Sequence, residues 1–416
     1  MKEGILNTYY NRIWQSEGSR IWLEGISKAA FYLGLLIELT IVILDKSAYI
    51  IQYEGQWFRL TFVLFGISLI TTRHSVKEWL WLLVFGIMGV VSYFATERNE
   101  ILRFVVFIWA CVGKDMKRVL KVTFWYTSAG CAILILLSVL GIYGTLAQTA
   151  VYRTEMAFTL GEAETRYCFG MGHPNAFHCM MLAITWLGAY CYREKIKWYG
   201  YLLLGIAHII LYFFTGSRTG LLMAVCSLLL IVLLKYVRPL QKSKWVYMAG
   251  IAAVISAVLF SVFMAKYSVH HPLLAKLDGF VSQRILNLYY DTINHEGMLS
   301  TWSLWSTPEN RYFFDLGIVR VFYWFGIIPG AVWFLAQCRL LWCGYKKKDY
   351  MLLAIVISIT MYSVFEAHYV SDYLGRNYIF FFMGMYLKEM SGVDQRKEIG
   401  GFNENSAIDQ RNYSCL

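Results

Sequence analysis

Charge is scarce in this chain of 416 residues. Asp, Glu, Lys and Arg together make up 16% of it, where a soluble domain carries about a quarter. With 58% hydrophobic residues and a mean hydropathy of +0.48, that scarcity excludes an ordinary soluble protein. The alternating pattern of an outer-membrane barrel is missing as well. There is no GxxxxGK[ST] loop, no GxSxG, no HExxH, no EF-hand and no Asp-x-Asp, which excludes a P-loop ATPase and the common metal-site motifs. Nine cysteines form no CxxC pair and read as small core hydrophobes. His270 and His271 stand without partners at ligand spacing, so neither a metal nor a cofactor is expected.

Long apolar runs are what the chain has instead. They recur near the roughly 20 residues that a bilayer-crossing helix needs. The pattern predicts an all-α polytopic membrane protein with about twelve spans: 29–44, 57–72, 79–95, 101–113, 122–142, 174–191, 199–214, 219–235, 245–265, 316–337, 350–365 and 373–388. The net charge of +11 follows this topology. Roughly two thirds of the Lys and Arg fall in the segments that are cytoplasmic when the N-terminus is inside, as positive-inside orientation requires. Both termini are therefore expected in the cytoplasm, and no nucleic-acid partner is. Residues 1–28 read as a cytoplasmic or interfacial segment, with Ile13, Trp14, Ile21 and Trp22 among charges and no cleavable signal. Residues 29–388 form the membrane domain and 389–416 a polar cytoplasmic tail. Two outer loops are long, 143–173 and about 266–315, and long loops tend to carry function.

Polar residues collect on that outer side. In RYCFGMGHPNAFH, Arg166 to His178, Gly170 and Gly172 allow a tight backbone approach, and Pro174 suits the first turn of a helix. The sixth span therefore starts at about His173 to Asn175 and presents its N-terminus outward. In TGSRTG, Thr215 to Gly220, two helices join with almost no loop, and Ser217 is a natural N-cap. Arg218 then lies on a helix N-terminus, where like meets like unless an anion resolves the conflict. In LLAKLDGFVSQRILNLYY, residues Leu277, Phe280, Val281, Ile285 and Leu288 predict an amphipathic helix. Arg284 falls on its apolar stripe, a costly place for an unpaired charge. Asp315 and Arg320 open span ten, Glu366 and His368 close span eleven, and Asp372 and Arg376 open span twelve. Glu38 and His208 lie deeper, where internal hydrogen bonds are expected. Arginine forks suit phosphate oxygens, so the set points to an anionic lipid-borne substrate held without metal.

Three of these stretches, RxxFGxGHPN at 166–175, TGSRTGLL at 215–222 and QR at 283–284 followed by Asp315 and Gly326-Ile327-Ile328, resemble the O-antigen polymerase and ligase superfamily. The similarity is greatest to Wzy-type repeat-unit polymerases of capsule and exopolysaccharide clusters, and it covers about residues 30–388. The resemblance implies a GT-C-like membrane glycosyltransferase at the outer face of a bacterial cytoplasmic membrane. Its substrates would be undecaprenyl-pyrophosphate-linked oligosaccharides, and its partners membrane lipids, a flippase and a chain-length regulator. Arg218 and Arg284 are then expected to bind pyrophosphate, with Arg166, Asn175, Asp315 and Arg320 in substrate contact. His173, Glu366 or His368 would act as general base. The alternatives are ligase-like transfer of glycan to another acceptor, or a polysaccharide or lipid transporter. Matched Gly/Pro-broken helices, the mark of many transporters, are missing.

Overall fold

The computed structural model describes residues 17–47, 49–150, 163–290 and 293–392. The interfacial Ile13 and Trp14 and all of the expected cytoplasmic tail beyond residue 392 lie outside it. About 74% of the described residues are helical, with almost no sheet among them. In chain order the helices are α1 Glu17–Lys46, α2 Glu54–Ile70, α3 Val76–Thr96, α4 Glu100–Ala110, α5 Met116–Val139, α6 Pro174–Cys191, α7 Trp198–Thr215, α8 Arg218–Tyr236 and α9 Arg238–Lys242. They continue with α10 Lys244–Tyr267, α11 Pro272–Asp278, α12 Arg284–Tyr290, α13 Gly317–Phe325, α14 Ile327–Lys347, α15 Tyr350–Phe365, α16 Tyr378–Met385 and α17 Leu387–Met390. Among the described residues seven helices are long and apolar enough to cross a membrane: α1, α3, α5, α7, α8, α10 and α14. The chain is an all-α membrane protein.

Burial separates a centre from a rim. Helices α3 and α7 keep only 17% of their most apolar window inside the protein, leaving Leu80, Leu83, Leu203 and Phe213 outward. Such a surface belongs against lipid rather than water. By contrast α13, α15 and α16 are buried nearly all round, the pattern of central elements. Helix α15 packs against α8, α10 and α14 and forms the axis of the bundle.

Two expected spans are not single helices. The run 316–337 breaks into α13 and α14 at Gly326, whose φ of 98° and ψ of 170° are open only to glycine. A Cβ there would lie 2.7 Å from Leu304 O and Ser306 N. The new helix start is satisfied by the outer loop, because Ile327 N–H donates to Ser303 O at 2.9 Å and Ile328 N–H to Leu304 O at 3.1 Å. The run 373–388 becomes a 3-10 turn, Leu374–Arg376, followed by α16 and α17. Asn377 caps α16 by accepting from Ile379 N–H at 3.1 Å.

Two loop expectations also change. The amphipathic helix read across 277–290 is two helices, α11 and α12, separated by Ser282 and Gln283 at φ 58° and 61°. Asp278 stabilises the break, since its carboxylate accepts from Ile285 N–H at 2.7 Å and Leu286 N–H at 3.3 Å, so α12 restarts at Arg284. The loop 143–173 holds a small antiparallel sheet, β1 Ala147–Ala150 with β2 Glu164–Tyr167, pairing Gln148 with Arg166. At the N-terminal side, α1 runs unbroken from Glu17, so Ile21 and Trp22 belong to the helix of the first span.

Candidate functional site

The ends of α1, α6, α7, α8, α12 and α15 meet on one face, and the predicted polar residues meet with them. Helix α6 begins at Pro174, within the expected start at His173 to Asn175, and its N-cap is His173. His173 Nδ1 accepts from Asn175 N–H at 3.2 Å. Ser217 caps α8 by accepting from Gly220 N–H at 3.4 Å. Between α7 and α8, Gly216 sits at φ 61°, and a Cβ on it would be 2.8 Å from Arg166 Nε. The motifs at 166–175 and 215–220 are therefore one packed unit, with β2 laying the Arg166 side chain across the turn.

Arg284 is the hub. Its Nε donates to Asp315 at 3.0 Å, Nη1 to Thr219 at 3.2 Å and Nη2 to Glu366 at 2.5 Å. Four segments far apart in sequence meet on one guanidinium, which is 6% exposed. Glu366 is as deeply buried as the arginine, while the Asp315 side chain is 50% exposed. The station thus opens towards the exterior at Asp315 and closes at Glu366. One cation faces two carboxylates, so the group carries a surplus negative charge. Burial raises the Glu366 carboxyl to about 7; Arg284 opposes the rise and Asp315 adds to it.

Around this hub the other predicted residues take distinct places. Arg218, the first residue of α8, is exposed and makes no ion pair or side-chain hydrogen bond among the described residues. It sits one residue from Thr219, so about 100° separates the two side chains on the helix; Thr219 turns inward to Arg284 and Arg218 outward. Arg166 is 7% exposed and paired with Glu164 at 2.7 Å. Asn175 is half-buried on the first turn of α6. Arg320 is fully buried, donates to Phe314 O and to Val370 O (the latter at 3.4 Å), and lies over the Phe313 ring at 3.6 Å. It braces the loop and does not bond Asp315 or Glu366.

The two site histidines differ in the nitrogen they offer. A neutral ring has one donor and one acceptor. His173 uses Nδ1 as acceptor, which places its proton on Nε2. His368 has Nε2 3.4 Å from Ala176 O, so that nitrogen carries the proton and Nδ1 is the acceptor. Desolvation lowers the pKa of both and so favours the neutral rings, although His173 is solvent-exposed. Among the described residues no group of three His, Cys, Asp or Glu is arranged to hold a metal.

Sequence reasoning missed Lys46 and Thr219 as members of this face. Lys46 ends α1, is 8% exposed, and acts electrostatically on His173 and His368. A basic residue ending the first outward span was the available signal. It also missed a second station. Glu38 accepts from Arg103 Nη2 at 3.1 Å and from Thr61 Oγ1 at 2.6 Å, and Arg103 Nη1 donates to Asp372 O at 3.0 Å. Glu38 is thus internally bonded, as expected, but to an arginine in the shortest span. His208 is internally bonded too, to Thr185 and His178. Farther along the segment, Arg98 pairs with Asp372 at 3.4 Å and Arg376 with Asp45.

No protein family, curated protein or solved structure matches the chain.

Proposed function

We propose that this protein is a polysaccharide polymerase that joins undecaprenyl-pyrophosphate-linked oligosaccharide repeat units at the outer face of the bacterial cytoplasmic membrane. On this reading the bundle is GT-C-like and crosses the bilayer about twelve times, with both termini inside. The observation that carries it is the convergence on Arg284 of Thr219, Asp315 and Glu366 beside an exposed arginine, Arg218, that has no partner among the described residues. A purely structural arginine would be sealed with matched charge, as an unpaired charge is costly near lipid.

The parts divide by charge and by proton position. With Glu366 ionised the Arg284 station is net negative, and it then does not receive a pyrophosphate unaided. Arg218 and Lys46 supply the positive rim, with Arg166 behind them and Asn175 and the neutral His173 as polar contacts. Protonation of Glu366 would make the station neutral and leave the two unused N–H groups of Arg284 for a phosphate oxygen. Positive groups fixed where the departing pyrophosphate gains charge are the largest catalytic contribution expected. His368 Nδ1 is the acceptor suited to take the proton of the attacking sugar hydroxyl. The hydroxyl oxygen then bonds to the anomeric carbon as the carbon–oxygen bond to the lipid pyrophosphate breaks.

The test is reconstitution. Purified protein is mixed with an undecaprenyl-pyrophosphate repeat unit, without nucleotide or second acceptor. A ladder of longer lipid-linked chains supports polymerisation. Transfer seen only when a separate acceptor is added points to a ligase, and no transfer under either condition removes the glycosyltransferase reading.

A further inference from the structure

Beneath the 215–220 turn lies a polar chain that the reaction just described does not use. His178 on α6 and His208 on α7 are 0% and 2% exposed. Their rings stack with centroids 5.3 Å apart and planes 18° apart. His178 Nε2 lies 3.3 Å from His208 Nδ1. The outer nitrogens end on threonines: His178 Nδ1 is 3.1 Å from Thr215 Oγ1, and His208 Nε2 is 3.1 Å from Thr185 Oγ1. Each threonine can also donate to its own helix, Thr215 to Leu211 O at 2.8 Å and Thr185 to Met181 O at 2.9 Å.

This geometry restricts where the protons sit. Suppose both neutral rings carry hydrogen on Nε2. Thr215 then donates to His178, His178 to His208, His208 to Thr185, and Thr185 to Met181 O. If both carry it on Nδ1, the whole direction reverses and ends on Leu211 O. Mixed tautomers set N–H against N–H, or lone pair against lone pair, between the rings, an expensive arrangement in a low-dielectric interior. Both ends close on helix carbonyls, so the chain is a closed unit and not a path across the membrane.

One end of this unit is the turn that carries Thr219. Thr215 Oγ1 also accepts from Ser217 N–H at 3.3 Å, and a Cβ on Gly220 would lie 2.7 Å from His178 Cγ. The turn is thus held between the His178 ring below and Arg166 alongside. We propose that His178 and His208 act as one positioning unit, two rings locked to the same tautomer, which sets the 215–220 turn and through Thr219 the orientation of Arg284. Only its consequence for activity rests on the polymerase reading.

The experiment uses the full chain in lipid nanodiscs with 15N-labelled histidine and no substrate. Wild-type His178 and His208 should appear as neutral rings of one tautomer. Thr185→Val removes the partner of His208 Nε2; since a bare buried N–H is harder to tolerate than a bare acceptor, both rings should move to Nδ1–H. Thr215→Val should drive both to Nε2–H. Opposite tautomers, an imidazolium signal in wild type, or a change confined to the ring beside the mutated threonine would overturn the proposal. Amide exchange supplies the second arm. His178→Ala should speed exchange of the Gly220 amide about tenfold, and Thr185→Val should change it measurably from its position more than two helical turns into α6. Unchanged exchange in Thr185→Val also overturns it, and this variant keeps the test valid if His178→Ala does not fold. Loss of the polymerase reading would leave both arms standing.

Discussion

Two arginine–glutamate pairs lie towards the same end of the bundle, and they are built to opposite plans. Arg103 and Glu38 are 3% and 1% exposed, one cation to one carboxylate, with Thr61, the Asp372 carbonyl and the Phe58 ring (3.7 Å from the guanidinium) in contact. Arg284 and Glu366 are 6% exposed each, yet a second carboxylate, Asp315, reaches from the pair to the exterior. Thr219 ties them to the turn of Arg218, which is unpaired among the described residues. The first pair is matched and sealed, as a strut between α1 and α4 should be. The second is unmatched and open on one side. Burial alone therefore does not distinguish the two pairs; charge balance and an exposed edge do.

Mutation should pull the two stations apart. The largest effects are expected from Arg284→Ala and Arg218→Ala, each of which should abolish the ladder of lipid-linked polymer while the protein still inserts. They should differ in stability. Arg284→Ala leaves two carboxylates facing each other and should cost about 3–5 kcal/mol, whereas Arg218→Ala should stay within about 0.5 kcal/mol in a denaturation midpoint. Next comes Arg103→Ala, which strands Glu38 and should also cost about 3–5 kcal/mol, with polymer formation per folded molecule unchanged. Loss of activity in folded Arg103→Ala would erase the distinction. Thr219→Val removes one hydrogen bond to a charged group and should slow polymerisation roughly ten- to a hundredfold, in line with about 1.5–3 kcal/mol.

The smallest effect is the response to pH. Glu366 has its carboxyl raised to about 7 by burial, so its protonated fraction grows as pH falls through that value. Each protonation removes a negative charge from the Arg284 station. Affinity for a lipid pyrophosphate should therefore rise several-fold from pH 8 to pH 6, and the dependence should flatten in Glu366→Gln. A rise that persists unchanged in that variant would assign the effect to another group.

Much of the helical framework was legible because local chemistry specifies it. Pro174 marks the start of α6; the caps that complete the starts of α6 and α15, His173 and Asp349 (which accepts from Leu352 N–H at 3.2 Å), come from the structure. The break at Gly326 was not legible. Its backbone is dictated by contacts with residues 303–306, and a run of apolar residues on either side reads as one span. The restart of α12 at Arg284 depends likewise on Asp278, a residue whose side chain reaches across the turn. At the site, the motifs located Arg166, Arg218 and Arg284 but not their partners. Thr219 and Glu366 are 65 and 82 residues from Arg284 in sequence, and nothing local pairs them. Arg320 shows the converse: an arginine placed by sequence at the site face is occupied by backbone carbonyls and aromatic rings.

The most direct test of the account is a binding titration of undecaprenyl pyrophosphate into nanodisc-embedded protein, comparing wild type with Arg218→Ala, Arg284→Ala and Glu38→Gln. The open station predicts affinity weakened at least about tenfold in both arginine variants, the loss of a charge-assisted contact, and unchanged in folded Glu38→Gln. Wild-type affinity in Arg218→Ala, or an equal loss in Glu38→Gln, would contradict it.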